Sequence, residues 1–334
     1  MLRVLVTGSH GYVGSIVLMR LAEIGIDVNT ADAGWFRGAY VQGPPQAVAD
    51  TNDFRLLQPA DLMAFDAIIH LAGYSNDPMG WLDRHETEQL NGIAAITLAT
   101  KAKLAGVRRF VFSSTCSVYG DSGAQELDES GPTKPLTPYA SAKLAAEKAL
   151  LALQDNGFRV AILRGATAFG ASPVPRTDLL LNELCAQAAC ARPIQLLSDG
   201  TSWRPFMPVD DFARALVTAA LESPQTDCSV PIWNIAPPTM QMAVKEAAER
   251  AAAIGGAPPP CTGRNSQPDR RSYRVNGTRF LRAFPSFSYS TDFERQVAST
   301  ISAFRAIPSL EADLRSDRFV RLAAFKKTEV RKIA

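Results

Sequence analysis

The chain has 334 residues, more than one compact lobe needs and short of two independent globular domains of ordinary size, so a large lobe with a smaller partner is expected. Apolar residues make up 46% and charged residues 20%, as in chains with a real core, and a formal net charge of +2 gives no global attraction for nucleic acid or acidic lipid. The five cysteines are odd in number without metal-type pairing, and three histidines (His10, His70 and His85) argue against a histidine-based zinc site or a Ser-His-Asp triad, so reduced thiols and no metal are expected.

Met1 leads at once into Arg3–Thr7, which reads as a strand. Gly8 follows too soon for a signal peptide, and no apolar run is long enough to span a bilayer. A soluble, cytoplasmic protein with no membrane or nucleic-acid partner is expected. The turn Gly8-Ser9-His10-Gly11-Tyr12-Val13-Gly14 opens a helix over Tyr12–Glu23. Its glycines suit a tight turn, a close backbone approach to a diphosphate and close helix–strand packing. Three glycines at this spacing also suit any strand-to-helix turn, so the context has to decide. A strand over Asp27–Ala31 ends at Asp32, eighteen residues after Gly14. A carboxylate there accepts from an adenosine ribose diol and repels a 2′-phosphate, which favours NAD over NADP, although Arg37 nearby blurs the preference. Asp50 and Thr51 could face the adenine.

The next strand, Ala67–Leu71, ends in His70-Leu71-Ala72-Gly73, where small residues let backbone pass close to a cofactor; His70 reads as structural. Ser75-Asn76-Asp77 follows. These residues could bond sugar hydroxyls or form an Asx-type turn. A helix over Glu88–Ala105 carries Asn91, and a strand over Arg109–Ser113 runs into Ser114-Thr115-Cys116-Ser117. Ligands gather at such strand ends in open α/β sheets. A helix over Pro138–Gln154 places Tyr139 and Lys143 four residues apart on one face. A nearby ammonium and a cationic nicotinamide both favour the phenolate, so the Tyr139 pKa is expected to fall. Such a tyrosine is a base near neutral pH.

A further strand spans Arg159–Arg164. The alternation predicts an α/β protein: a Rossmann-type, doubly wound parallel sheet with a smaller C-terminal substrate-binding lobe. After Gly170 prolines loosen the pattern, and helices are expected near Asp211–Leu221, Gln241–Ala253 and Asp292–Arg305. Residues 1–170 are expected to form the NAD-binding part, with some later segments returning to it, and 171–310 the substrate lobe. The charged tail, 311–334, reads as a surface helix.

Taken together, the glycine turn, the H-L-A-G strand end, Asn91, the stretch from Ser113 to Gly120, the Tyr139/Lys143 pair and the segment Asp199–Asp211 resemble the extended short-chain dehydrogenases/reductases. Within them they are similar to the NAD-dependent nucleotide-sugar epimerase/dehydratase family, including the UDP-sugar 4-epimerases. The resemblance covers roughly the first 280 residues. It implies that Tyr139 is the base, that Lys143 holds the nicotinamide ribose and that Thr115 contacts the reacting sugar oxygen. It implies cofactor contacts from Gly8, Gly11, Tyr12, Val13, Gly14, Asp32, Leu71, Ala72, Gly73, Asn91 and Ser113. Ser75, Asn76, Cys116, Ser117 and Thr167 fall in the substrate region, Asn182 matches a position that often contacts the nucleotide diphosphate, and Arg204 suits a diphosphate. A second cationic cluster, Asp269-Arg270-Arg271, offers another arginine, with Arg271 preferred to Arg270 and a solvated basic turn the alternative. A homodimer is expected.

Three departures bear on the reaction. Dehydratases of this family carry an Asp-Glu pair after the threonine, where this chain has Cys116 and Ser117; Thr167 stands where asparagine is common, and Pro208 where histidine is common. Without the second base, elimination is disfavoured. The expected activity is therefore 4-epimerisation of a nucleotide-diphosphate sugar through a transient 4-keto sugar, with NAD as cofactor. Alternatives are a dehydratase, decarboxylase or 4-ketoreductase of the same family, and, in another class, a non-catalytic NAD-binding regulator. Cys116 reads best as a small buried thiol in a tight wall.

Overall fold

The computed structural model describes residues 2–42, 52–226, 230–263, 267, 269–323 and 325–326. Asp50 and Thr51 lie outside the described residues. β1 (Arg3–Thr7), β2 (Asp27–Ala31), β3 (Ala67–His70) and β4 (Arg109–Thr115) form one sheet with the later strands Arg159–Gly165 and Ile232–Ile235. The order across the sheet is β2-β1-β3-β4, then Arg159–Gly165, then Ile232–Ile235, and every pairing is parallel. The first three strands leave β1 in opposite directions, so the chain reverses its order between β1 and β3. That crevice, at the carboxyl ends of the strands, is where open α/β sheets take ligands.

Strand alternation explains how both faces are covered. Val4 and Val6 point into one core with Val17 and Leu21 of α1 (Tyr12–Glu23) and with Ala213 and Leu216 of the helix Val209–Leu221. Leu5 and Ile68 point the other way, against Leu98 and Ala99 of the helix Ala94–Leu104 and Ala146 and Leu150 of the helix Pro138–Leu153. The strand Ile232–Ile235 extends the sheet from far along the chain. A second core is built from the helices Leu180–Ala189, Val244–Gly255 and Phe293–Arg305, with Phe169 and Phe206 packed among them.

The expected fold is present, with three local differences. The helix expected over Glu88–Ala105 starts at Arg84 and is widened by a π-helical turn over Gln89–Ile93. The one expected over Gln241–Ala253 begins with a strand, Gln241–Ala243, antiparallel to Trp203–Pro208. The tail differs most. After the helix Leu310–Arg315 the chain turns inward, leaving Phe319 fully buried and Arg321 1% exposed. The apolar Phe319 ring gains from this burial what a solvated helix would not provide.

Candidate active site

A cavity of about 720 Å³ opens along the strand ends, lined by residues that follow β1, β2, β3 and β4 and by side chains of the second core's lobe. At one wall the glycine turn lies under β3. Gly8 has φ +74, and a Cβ there would stand 2.7 Å from the Ala72 nitrogen; one on Gly14 would stand 2.2 Å from the Gly8 oxygen. No side chain fits at either position, and Gly8, Gly11, Tyr12, Val13 and Gly14 line the cavity. Asp32 is fixed beside it, accepting from the His10 amide (2.9 Å) and the Gly34 amide (2.7 Å). Each carboxylate oxygen keeps a lone pair for a ribose diol. A diphosphate over the first turn of α1 and a diol at Asp32 is the demand of an adenine dinucleotide, and the cradle meets it.

The helix Pro138–Leu153 supplies the reactive pair. Thr137 caps it, its hydroxyl accepting from the Ala140 amide (3.2 Å), and Pro138 fixes the first turn. Tyr139, Lys143 and Glu147 then follow at four-residue steps. The Lys143 ammonium donates to the Ser113 carbonyl (2.9 Å) and lies 4.5 Å from the Phe112 ring centre. Burial pushes it down to about 8, against the upward pull of Glu147. Glu147 pairs with Arg164 at 2.7 Å, both almost wholly buried, and accepts from the Ser114 hydroxyl.

Tyr139 and Thr115 line the same cavity wall, and the Thr115 hydroxyl donates to Ser117 (3.1 Å). The fall expected for the Tyr139 pKa rests on the ammonium together with a cationic nicotinamide, and the protein's own groups act the other way. Burial, and then the Asp77 carboxylate, push the phenol above its ordinary value, and Lys143 does not offset them. Among the protein's own groups, desolvation outweighs the ammonium.

The polar wall opposite is ion-paired. Arg271 reaches Asp77 (2.5 Å) and Asp269 (2.6 Å), and Arg204 pairs with Asp269 (2.9 Å). Arg271 lines the cavity, whereas Arg270 is exposed and does not line it. Arg176 pairs with Asp178 (2.9 Å) and donates to the Ser75 hydroxyl (3.0 Å). Asn76 caps the short helix Asp77–Leu82 through the Met79 amide (3.0 Å) and donates to Asp178 (2.6 Å). The bond to the amide three residues on makes Asn76 a helix cap rather than the Asx-type turn considered for this stretch.

The cavity brings together Gly8, Gly11, Tyr12, Val13, Gly14, Asp32, Leu71, Ala72, Gly73, Ser75, Asn76, Ser113, Thr115, Ser117, Tyr139, Lys143, Thr167, Arg204 and Arg271. Three other expected residues do not line it, which corrects their assignment to direct contacts. Cys116 is fully buried and its thiol points at the Arg164 carbonyl (3.1 Å). Asn91, set by the π-helical turn, clasps Tyr74 through its amide (2.8 and 2.9 Å) and presses against Gly73. Asn182 is buried between the Gly170 amide (2.9 Å) and the Tyr12 phenol (3.2 Å). The latter two shape the wall from behind. His70 is structural, bonded to Thr7 (2.7 Å) and pushed down to about 3 by burial. Sequence reading missed Arg176, Asp178, Tyr273 and Arg321, all of which line the cavity. Among the described residues no cluster could hold a metal ion, and no helix is long and apolar enough to cross a membrane.

Residues 4–236 match the model of the NAD dependent epimerase/dehydratase family. The chain belongs to that family. Its sequence is 33% identical over 237 residues to a UDP-glucose 4-epimerase of Azospirillum brasilense, covering 66% of this chain and 68% of that one. It is 28% identical over 233 residues to a dTDP-D-glucose 4,6-dehydratase of Mus musculus, covering 65% and 64%. A solved structure of MoeE5 in complex with UDP-glucose and NAD superposes with a TM-score of 0.75 at 27% identity, covering 91% of this chain and 99% of that one. As an NAD-dependent epimerase/dehydratase family member, the chain has its glycine turn, Tyr139 and Lys143 all within the matched span.

Proposed function

We propose that the protein is an NAD-dependent nucleotide-sugar epimerase acting at C4 of a nucleotide-diphosphate sugar. The observation that carries this reading is that Tyr139, Lys143 and Thr115 line one cavity, while the two positions after the threonine are Cys116 and Ser117 and hold no acid–base pair. The carboxylate acting on Tyr139 is Asp77, and it is tied to Arg271. Tyr139 takes the proton of the C4 hydroxyl and returns it, while Thr115 orients the same oxygen. Lys143, fixed by Ser113, presents its ammonium to the cofactor ribose beside Tyr139. NAD, when bound, supplies the hydride acceptor and donor. Its cationic ring offsets the upward push on the Tyr139 phenol that burial produces.

Arg204 and Arg271 fit the sugar nucleotide's diphosphate, with Ser75, Asn76, Ser117 and Thr167 on the same wall. Residues 171–310 would carry most of this subsite, and 1–170 the cofactor. Exposed Ile93 and Leu104, at opposite ends of the helix Ala94–Leu104, offer apolar surface for a homodimer. A cytoplasmic role in carbohydrate biosynthesis fits these chemistries.

The test is isotopic. A panel of nucleotide sugars is screened by NMR, and the active one is then supplied with deuterium at C4. The product is expected to retain the label at C4 with no solvent deuterium in the ring. Solvent label at C5 would show carbon deprotonation and end the 4-epimerase reading.

A further inference from the structure

Beyond the span matched by the family, the chain returns to the cofactor side of the cavity. Arg318 donates to the Tyr40 carbonyl (2.8 Å), the Thr177 amide donates to the Phe319 carbonyl (3.2 Å), and the Arg321 amide donates to Asp178 (3.3 Å). These bonds bring Arg321 to the cavity wall, its guanidinium 4.2 Å from the Phe36 ring centre. The side chain is 1% exposed, and both terminal nitrogens are buried without a hydrogen-bond partner among the described residues. Charged groups surround it: Asp32, Tyr40, Asp178 and, of like sign, Arg176. None of the acidic ones forms an ion pair with it among the described residues. Burial pushes it down to about 9, the mark of a cation short of a counter-charge.

A buried guanidinium without a partner is costly unless an anion completes it. From these observations we infer that Arg321 is an anion ligand of the cofactor site, its two terminal nitrogens donating to the diphosphate of the dinucleotide. The inference rests on the NAD reading above. The guanidinium fork matches phosphate oxygens in pairs. It lies with Asp32, Phe36 and Tyr40, which follow β2 and belong to the adenosine side, and so apart from the sugar-nucleotide wall of Arg204 and Arg271. Asp32 repels a 2′-phosphate, so within this neighbourhood the diphosphate is the anion available. The tail residue thus closes the cradle that the glycine turn opens.

The experiment uses full-length protein stripped of nucleotide, wild type against Arg321→Met and Arg321→Lys, with calorimetric titration of NAD, NADP, ADP, adenosine and UDP. Arg321→Met is expected to weaken NAD and ADP by about 10- to 100-fold, the scale of a charge-assisted pair. Adenosine and UDP should change less than about twofold, and Arg321→Lys should recover part of the loss. The melting temperature of the nucleotide-free protein should not fall in Arg321→Met, because the variant removes an uncompensated buried charge. A lowered melting temperature with adenosine weakened as much as ADP would make Arg321 a packing residue. A larger loss for NADP than for NAD would move the charge to a 2′-phosphate, and a loss confined to UDP would move it to the substrate; either overturns the assignment. Undiminished NAD binding in the variant defeats this inference alone, whereas a wild type that binds neither NAD nor ADP defeats the cofactor reading with it.

Discussion

Glu147→Gln separates the two duties of the buried carboxylate behind Lys143. Glutamine keeps the shape and can still bond the Ser114 hydroxyl, so the change is one of charge. Arg164, 3% exposed and paired at 2.7 Å, is left without its counter-charge. Breaking such a pair costs about 3–5 kcal/mol. At roughly 2.1 cal/mol/K per residue, 334 residues give an unfolding entropy near 0.7 kcal/mol/K, so Tm should fall by about 4–7 °C. Lys143 responds too. Its ammonium, already lowered to about 8, loses the carboxylate that raises it. In the folded protein it deprotonates at about 8 instead of 10.5, so the unfolded chain holds more protons between those values. The stability contribution of this group therefore rises with pH across that window, and its penalty is full below about 8. If the charged ammonium serves turnover, the alkaline limb of kcat/KM must move to lower pH in Glu147→Gln. Scanning calorimetry and a pH–rate profile check both parts. A Tm shift under about 1 °C would refute the energetic account of the pair, and a limb that stays or moves upward would refute the assigned role of Lys143.

Tyr139→Phe should keep fold and NAD binding while turnover falls by about two to four orders of magnitude, with a smaller loss for Thr115→Val. Steady-state rates beside calorimetric NAD titration check this, and a Tyr139→Phe enzyme of near-normal rate would exclude the phenol as base. Asp32→Ala should relax the preference for NAD over NADP, since the carboxylate facing the ribose is lost. A wild type that binds NADP more tightly than NAD would overturn that reading of Asp32.

What sequence shows well here is whatever local periodicity encodes. Strand alternation and glycine spacing placed β1, α1 and β2 at their observed positions, because Gly8, Gly14 and Asp32 answer to backbone demands within one short unit. Tyr139 and Lys143 were legible for the same reason, since a four-residue step on a capped helix fixes their common face. Long-range burial was not legible. Asn182 matched a contact position, yet its amide is consumed by Gly170 and by Tyr12, 170 residues away in the chain. The Tyr139 phenol was judged by its cationic neighbours, whereas desolvation by the assembled lobes and the approach of Asp77 dominate. Arg176 and Arg321 sit in segments without periodicity, where no pattern distinguishes a surface arginine from one folded inward. The signal available was aromatic: Phe319 and Phe325 stand in an otherwise charged tail, and both pack inward.

The contact between Tyr12 and the second core has a mechanical meaning. The Tyr12 phenol donates to the Gly170 carbonyl (2.9 Å), Asn182 bridges Gly170 and Tyr12, and Ser172 donates to the Tyr12 carbonyl (2.9 Å) while meeting Ser15 (3.0 Å). This ring of bonds rivets the start of the dinucleotide helix to the floor of the other lobe, and opening it would strand several buried polar groups at once. Wide hinge motion about that floor is therefore expensive, and traffic of ligand has to use the cleft mouth. On the 4-epimerase reading, the half-turn a sugar makes between losing and regaining its hydrogen then falls to rotation about its own diphosphate linkage, inside walls that stay still.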